Sequence, residues 1–123
     1  MLVVFDLDGT LIDGYAAIGD ALSYATARLG VAEVPPDRVR VLVGHGLERL
    51  LETVVGAENA AEGVRLFRER YPQVAVQGSH LMPGARGVLE VLAGAGHTLA
   101  IASNKPARFS SLILEARGVA PFF

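Results

Sequence analysis

A chain of 123 residues, of which 51% are hydrophobic, is long enough to bury one ordinary core and too apolar to be disordered. Its net charge of -2 gives no electrostatic reason to expect nucleic acid or an anionic membrane as a partner, and a small ligand fits better. There is no cysteine for a disulfide or a thiolate metal site, and no apolar run approaches the roughly 20 residues of a transmembrane helix, so we expect a soluble cytoplasmic protein.

The first predicted element is a strand that runs directly into two carboxylates. Residues 2–5 form a short apolar run, typical of a strand that is covered on both faces of a parallel sheet. Asp6 and Asp8 follow at a turn before Gly9. A carboxylate beside such a core loses hydration, so it is either protonated or held ionised by a cation or hydrogen bonds. Ligands of open α/β sheets bind beyond the carboxyl ends of the strands, so the pair predicts a metal-assisted reaction site.

Residues 14–80 show helical patterns and no strand pattern. Apolar spacing and stop residues predict four helices: one that ends at Gly30, a short one that follows Pro35 and ends at Gly44, one that ends at Gly56, and one that ends before Pro72. The break Gly44-His45-Gly46 has Arg49 one turn later. It is either a flexible element that closes over a substrate through His45 or Arg49, or a plain interhelical turn with a solvated histidine, and the residues favour neither.

The pattern changes again at Pro83-Gly84. A helix that ends at Gly94 and Gly96 leads to a second apolar strand at residues 97–102, and a polar turn at residues 103–106 leads to a last helix that ends at Gly118. The order is therefore strand, helical block, helix, strand, helix. The simplest architecture with this order has two parallel strands joined by crossover helices, with a helical insertion after the first strand.

Ser103 and Asn104 follow the second strand and are expected beside Asp6 and Asp8, because the carboxyl ends of parallel strands meet at one sheet edge. A hydroxyl and turn amides can hold phosphate oxygens there, with the dipole of the following helix in support. Serine and asparagine are also ordinary N-cap residues for that helix, but the acids after the first strand favour the phosphate-binding interpretation. Lys105, the single lysine beside ten arginines, stands in the same turn, which favours a specific role for its ammonium group.

Residues 5–13 resemble the first motif of the haloacid dehalogenase-like hydrolase superfamily, and residues 103–106 resemble its second motif. The resemblance implies an α/β fold: a Rossmann-like core with an incomplete parallel sheet at 1–13 and 83–123, and an all-helical cap inserted at 14–82. Within the superfamily the chain is most similar to the phosphoglycolate phosphatase-like group, in which Asn-Lys-Pro often follows the second-motif hydroxyl.

The resemblance also implies roles for the site residues. Asp6 would form an aspartyl-phosphate, and Asp8 would act first as general acid and then as general base. Mg²⁺ would be held by the Asp6 carboxylate and the Asp8 backbone carbonyl. The phosphate-binding groups would be those of Gly9, Thr10, Ser103, Asn104 and Lys105. An acid at position 8 favours phosphomonoester hydrolysis over the reactions of the family's dehalogenases and transport ATPases.

The chain departs from the family pattern in three places. Gly14 stands where many relatives have serine, and Met82 where many have tyrosine. The family's third motif, a basic residue, and its fourth, an acidic metal-binding loop, lie beyond the second-motif helix, and no acid follows Glu115 here. We therefore expect the N-terminal portion of a larger phosphatase that acts on a small phosphorylated metabolite. The alternatives are an inactive binding or regulatory module and a β-phosphoglucomutase-like phosphoryl transferase.

Overall fold

The computed structural model describes all residues from Met1 to Phe123. Its strands are β1 (Leu2–Phe5), β2 (Ile12–Asp13), β3 (His80–Leu81) and β4 (Thr98–Ile101), and its helices are α1 (Tyr15–Leu29), α2 (Pro36–Leu42), α3 (Leu47–Val55), α4 (Ala60–Val74), α5 (Ala85–Gly94) and α6 (Ala107–Ala116). Short 3-10 helices cover Ala57–Asn59 and Ala120–Phe122. Helices around a small parallel sheet confirm the predicted α/β class. None of the helices is long and apolar enough to span a bilayer.

The parallel pair of β1 and β4 determines where the two polar loops lie. The strands are in register from Leu2 opposite Thr98 to Phe5 opposite Ile101, and the Ala102 amide donates to the Phe5 carbonyl at 2.8 Å. Both chains leave the sheet at the same edge, so the turn after β1 and the loop after β4 begin side by side.

Within residues 1–123, β1 is covered on one face only, so the expectation that it is covered on both faces is wrong for these residues. Leu2 is 60% exposed and Val4 54% exposed, while Val3 and Phe5 are partly buried. The alternation of exposure arises because successive side chains of a strand point to opposite faces, and here only one face packs on helices.

A second, two-residue sheet joins the two ends of the helical block, which consists of α1 to α4. Ile12 pairs with Leu81 and Asp13 with His80 in antiparallel register, and the Met82 amide extends the pairing to the Leu11 carbonyl at 2.8 Å. The expectation that residues 14–80 contain no strand is therefore wrong at His80. Strands this short have no periodicity to reveal them, and the pairing depends on the return of the chain from α4.

The helical block is built around α1 and α4, which pack against each other. Helix α1 buries a stripe of small and aliphatic side chains that allows the two helices to approach closely: Ala17, Ile18, Ala21, Leu22 and Ala25. It ends as predicted at Gly30, whose φ of 66° is readily adopted by glycine.

Helix α4 does not end before Pro72, as the sequence had predicted, but continues to Val74. Proline lacks an N–H, so it removes one helical hydrogen bond. Buried residues hold the helix in place before and after the proline. Tyr71 and Ala75 are both buried, and the Ala75 amide donates to the Tyr71 carbonyl at 2.9 Å. Tertiary packing therefore outweighed the local cost of the proline.

Candidate active site

The turn after β1 is organised around the carbonyl of Leu7, whose side chain is fully buried. This carbonyl accepts hydrogen bonds from the amides of Thr10, Leu11 and Ile12 at 3.0 to 3.2 Å. The Gly9 amide donates to the Ile12 carbonyl at 2.8 Å, and Gly9 has a φ of 84°. A Cβ at Gly9 would lie 2.3 Å from the Tyr15 hydroxyl, so both the backbone conformation and the available space favour glycine there.

Asp6 and Asp8 lie in different environments. Asp6 is exposed, and its Oδ1 accepts a hydrogen bond from the Leu7 amide at 2.8 Å. The Asp8 side chain is only 15% exposed, and its Oδ2 lies 3.4 Å from the Lys105 ammonium nitrogen. Burial raises the pKa of the Asp8 carboxyl above its ordinary 3.8, and the nearby Lys105 charge partly offsets this effect. The pair thus offers one accessible carboxylate and one carboxyl that holds its proton more tightly.

The other oxygen of Asp8 is buried without a hydrogen-bond partner. Oδ1 of Asp8 is buried and accepts no hydrogen bond, and it lies beside Gly14 together with the buried hydroxyl of Ser79. A Cβ at Gly14 would be 3.3 Å from the carboxylate oxygen and 3.1 Å from the hydroxyl. Buried polar atoms are usually paired. A reactive role for Asp8 would explain why this carboxylate oxygen, at the edge of the sheet, is unpaired.

The side chains of Ser103 and Asn104, in the loop after β4, bind partners other than the first amides of helix α6. The Ser103 hydroxyl accepts a hydrogen bond from the Lys105 amide at 3.1 Å, and the Asn104 amide group donates to the Gly44 carbonyl at 3.0 Å. Helix α6 has Pro106 at its N-cap and no side-chain cap. The alternative interpretation of Ser103 and Asn104 as capping residues is therefore wrong.

Lys105 belongs to this loop, and its side chain is enclosed between the loop and α4. Its side chain is 6% exposed, its ammonium group donates to the Tyr71 hydroxyl, and it lies 4.6 Å from the centre of the Tyr71 ring. Tyr71 is itself 3% exposed, stacked on Phe67 at 5.3 Å and in edge contact with Phe109 at 5.0 Å. The ammonium of Lys105 therefore has an acid on one side and a phenol on the other.

A cavity of about 100 Å³ lies between the two loops and the helical block. It is lined by Asp8, Ile18, Val43, Gly44, Gly46, Leu47, Leu50, Phe67, Arg68, Tyr71, Ser103, Asn104, Lys105, Pro106 and Phe109. The polar residues come mainly from the two predicted loops, and the apolar ones mainly from the helical block. The structure thus brings Asp8 together with the loop after β4, as expected.

Several residues predicted for the site lie elsewhere. His45 and Arg49 are exposed and do not line the cavity, so their proposed contact with substrate stays a prediction. Asp6, Gly9 and Thr10 also lie outside the lining, and the Gly9 and Thr10 amides are engaged within their own turn. For those two amides to bind phosphate, the turn would have to release the hydrogen bonds it now makes.

Two polar residues of the lining, Arg68 and Tyr71, were not predicted for the site from the sequence. Arg68 forms an ion pair with Glu48 at 3.3 Å. One signal for Tyr71 was available in the sequence, namely its residue type, because a buried tyrosine hydroxyl usually finds a hydrogen-bond partner. The spacing of Phe67 and Tyr71 places both on one helix face, but which partner they meet depends on the tertiary fold.

The donor set fits a hard divalent cation only in part. No group of three histidine, cysteine or acidic side chains is close enough to hold a metal. Mg²⁺, however, typically uses one or two carboxylates and fills its remaining positions with water and substrate phosphate. The exposed Asp6 carboxylate has one oxygen, Oδ2, that accepts no hydrogen bond, and the Asp8 backbone carbonyl comes two residues later in the same turn. These oxygen atoms are the type of ligand that Mg²⁺ binds.

Comparison with known proteins identifies similar sequences and folds. Residues 3–123 match the family model described as haloacid dehalogenase-like hydrolase. The chain is 36% identical over 132 aligned residues to a phosphoglycolate phosphatase from Vibrio parahaemolyticus, covering 99% of this chain and 58% of that protein. It is also 36% identical to a phosphoglycolate phosphatase from Aquifex aeolicus, with 99% and 57% covered.

A similar solved structure is a haloacid dehalogenase-like family hydrolase from Streptococcus pneumoniae, with a TM-score of 0.91, 27% identity, and coverage of 99% of this chain and 58% of that one. The chain thus spans a little under three fifths of the length of the proteins it matches. This coverage fits the expectation that the 123 residues correspond to a portion of such a protein.

Proposed function

Because the chain belongs to the haloacid dehalogenase-like hydrolase family, we propose that the protein containing it is a Mg²⁺-dependent phosphatase that hydrolyses a small phosphomonoester through an aspartyl-phosphate. The observation that carries this proposal is the contrast between the exposed Asp6 carboxylate and the mostly buried Asp8 carboxyl, whose pKa burial raises. Two neighbouring acids in such different environments suit two roles, a nucleophile and a proton donor.

In the first step, a carboxylate oxygen of Asp6 attacks phosphorus while the bond from phosphorus to the ester oxygen breaks. The Asp8 carboxyl gives its proton to that leaving oxygen, so the product is a neutral alcohol. In the second step, water attacks the phosphorus of the aspartyl-phosphate and Asp8 takes a proton from it. The bond from phosphorus to the Asp6 oxygen breaks, inorganic phosphate leaves, Asp6 is again a carboxylate, and Asp8 is again protonated.

The other proposed groups of the site stabilise the negative charge of the phosphate. Mg²⁺, bound by the Asp6 carboxylate and the Asp8 carbonyl, would supply positive charge that reduces the repulsion between carboxylate and phosphate. Ser103, Asn104 and Lys105 are proposed to hold the phosphate oxygens, with Gly9 and Thr10 joining once their turn rearranges. Two observations support this role for Lys105: the residue lines the cavity, and its ammonium group lies 3.4 Å from Oδ2 of Asp8.

The proposed substrate is a small phosphorylated metabolite similar to phosphoglycolate. The cavity of about 100 Å³ suits a small leaving group, and two relatives named above are called phosphoglycolate phosphatases. We further propose that residues 14–82 act as a cap over a core made of 1–13 and 83–123. His45 and Arg49 would contribute specificity when the cap closes, and the cytoplasmic location stays a prediction.

The test uses the protein expressed from its complete coding sequence. Hydrolysis of phosphoglycolate and of p-nitrophenyl phosphate, followed as phosphate release, should require added Mg²⁺ and fall to background in Asp6→Asn. The matched control is Asp37→Asn, which changes an exposed acid in the first turn of α2 and should leave the rate unchanged.

Three results would redirect the proposal. Hydrolysis that survives in Asp6→Asn would remove Asp6 from the nucleophilic role. If the wild-type protein binds inorganic phosphate but hydrolyses neither ester, the binding-module alternative becomes the better account. A sugar phosphate that is isomerised rather than hydrolysed would instead indicate phosphoryl transfer of the β-phosphoglucomutase type.

A further inference from the structure

We propose that Lys105 and Tyr71 form a latch that holds the Lys105 ammonium beside Asp8 only while α4 is seated against the loop after β4. This inference rests on the proposed function, because it concerns when the same site is ready to react. Tyr71 is then a positioning residue: it acts on the reaction through Lys105.

The first support is the enclosure of the charge. The Lys105 side chain is 6% exposed, and its ammonium group meets two partners, Asp8 Oδ2 at 3.4 Å and the Tyr71 hydroxyl. An ammonium group has three donors and loses strong hydration when it is buried, so both contacts are needed to compensate for the lost water. One partner comes from the turn after β1 and the other from the helical block.

The second support is that the phenol is held rigidly. The Tyr71 ring stacks on Phe67 of the same helix, with centroids 5.3 Å apart, and meets the edge of Phe109 from α6 at 5.0 Å. Packing on both sides fixes the direction of the hydroxyl, and the ring also lies 4.6 Å from the ammonium nitrogen. A pre-oriented partner costs little entropy when Lys105 binds it.

The third support is a parallel contact from the neighbouring residue. Asn104 donates to the Gly44 carbonyl at 3.0 Å, in the break between α2 and α3. Adjacent residues of one loop therefore bind the helical block at two points, α4 and the α2–α3 break. The four residues of these two contacts all line the cavity, so a movement of α4 and the α2–α3 break away from the loop would break both contacts.

The kinetic consequence follows from when these contacts exist. If the block opens to admit substrate and closes before reaction, Lys105 is held in place in the closed state and is free in the open one. A charge that is already oriented stabilises a reaction without reorganisation, whereas a mobile one does not. Loss of the latch should therefore lower kcat more than it raises KM.

The experiment is a double-mutant cycle in the protein expressed from its complete coding sequence. Tyr71→Phe removes only the hydroxyl and should lower kcat roughly tenfold with KM changed less than twofold, because a hydrogen bond to a charged group is lost. Lys105→Met should lower kcat further. The double variant should match Lys105→Met alone, since the hydroxyl acts only through the lysine. Tyr24→Phe is the matched control in α1 and should behave as wild type.

A Tyr71→Phe variant with wild-type kcat, or a double variant whose losses multiply, would overturn the latch while leaving the phosphatase proposal intact. If the wild-type protein shows no hydrolysis, the proposed function fails, and the latch is judged by amide hydrogen exchange. Tyr71→Phe should then speed exchange in α4 and at residues 44–46, as Lys105→Met does, with no further gain in the double variant. Unchanged exchange in these segments would overturn it.

Discussion

The ammonium nitrogen of Lys105 lies 3.4 Å from Oδ2 of Asp8, and this ion pair joins the loop after β4 to the turn after β1. Both side chains are largely shielded from water, at 6% and 15% exposure. Shielding strengthens the attraction and also makes an unpaired partner costly.

The first prediction concerns the stability of this pair. Lys105→Met keeps a long apolar side chain but leaves the Asp8 carboxylate mostly buried without its cation. We expect the free energy of unfolding at pH 7 to fall by about 2 kcal/mol, measured by urea unfolding. The contrast is Arg65→Met, which breaks an exposed ion pair with Glu62 and should cost much less, because water screens that pair. Equal losses in the two variants would mean that burial adds nothing to the Lys105 pair.

A second prediction concerns stability at high pH. Burial raises the pKa of the Tyr71 phenol above its ordinary 10.0, and Lys105 only partly offsets this. The folded state therefore holds the phenolic proton more tightly than the unfolded state. This stabilising contribution is complete below pH 10 and is lost as the pH rises through the higher pKa of the folded protein.

Urea unfolding of wild type and Tyr71→Phe, from about pH 9 to about pH 11, checks this expectation. The free energy of unfolding should fall more steeply above pH 10 in the wild type, because the variant has no phenol at this position to ionise. Parallel curves for the two proteins would count against it.

A third prediction concerns the segment that returns the chain from α4 to β3. A Cβ at Gly78 would lie 2.7 Å from the backbone nitrogen of Ala17 and 2.8 Å from its Cα, so the backbone of α1 would have to move. Gly78→Ala should lower the free energy of unfolding by roughly 1 to 3 kcal/mol. Gly87→Ala, in α5 with no atom within 4 Å of its Cβ position, should raise it by up to about 1 kcal/mol. Thermal unfolding of both variants would reveal whether the signs are opposite.

The fourth prediction concerns Arg117, which follows α6 and holds the same returning segment. Its guanidinium group donates to the Ser79 carbonyl at 2.7 Å and to the Val76 carbonyl. Arg117→Met should leave the Ser79 carbonyl unpaired and the Val76 carbonyl with the Ser79 amide as its remaining donor. We expect it to lower the free energy of unfolding by about 2 kcal/mol and to speed amide exchange at residues 76–81. Arg38→Met, at an exposed arginine without side-chain hydrogen bonds, should change neither quantity. Exchange at wild-type rates in Arg117→Met would show that the segment is held by its packing alone.

Much of the site could be predicted from local patterns. Asp8, Ser103, Asn104 and Lys105 were expected at one sheet edge, and all four line the cavity. That expectation succeeded because the geometry of parallel strands is general: once two strands pair, the loops at their carboxyl ends must be neighbours.

Other features could not be read from local patterns. The pairing of Ile12–Asp13 with His80–Leu81 is too short to show a period, and the passage of α4 through Pro72 depends on burial at Tyr71 and Ala75. Arg68 was missed for a related reason, since which face of a helix lines a cavity depends on what packs against the opposite face.

The sequence by itself determined the fold class and the chemistry of the two loops, because an apolar strand that ends in Asp6 and Asp8 and a polar turn at residues 103–106 are short-range features. Only the tertiary structure decided which groups face each other. It set Lys105 between Asp8 and Tyr71 and left His45 and Arg49 outside the cavity. Burial, ion pairing and pKa depend on distances between residues that are far apart along the chain, and folding alone sets those distances.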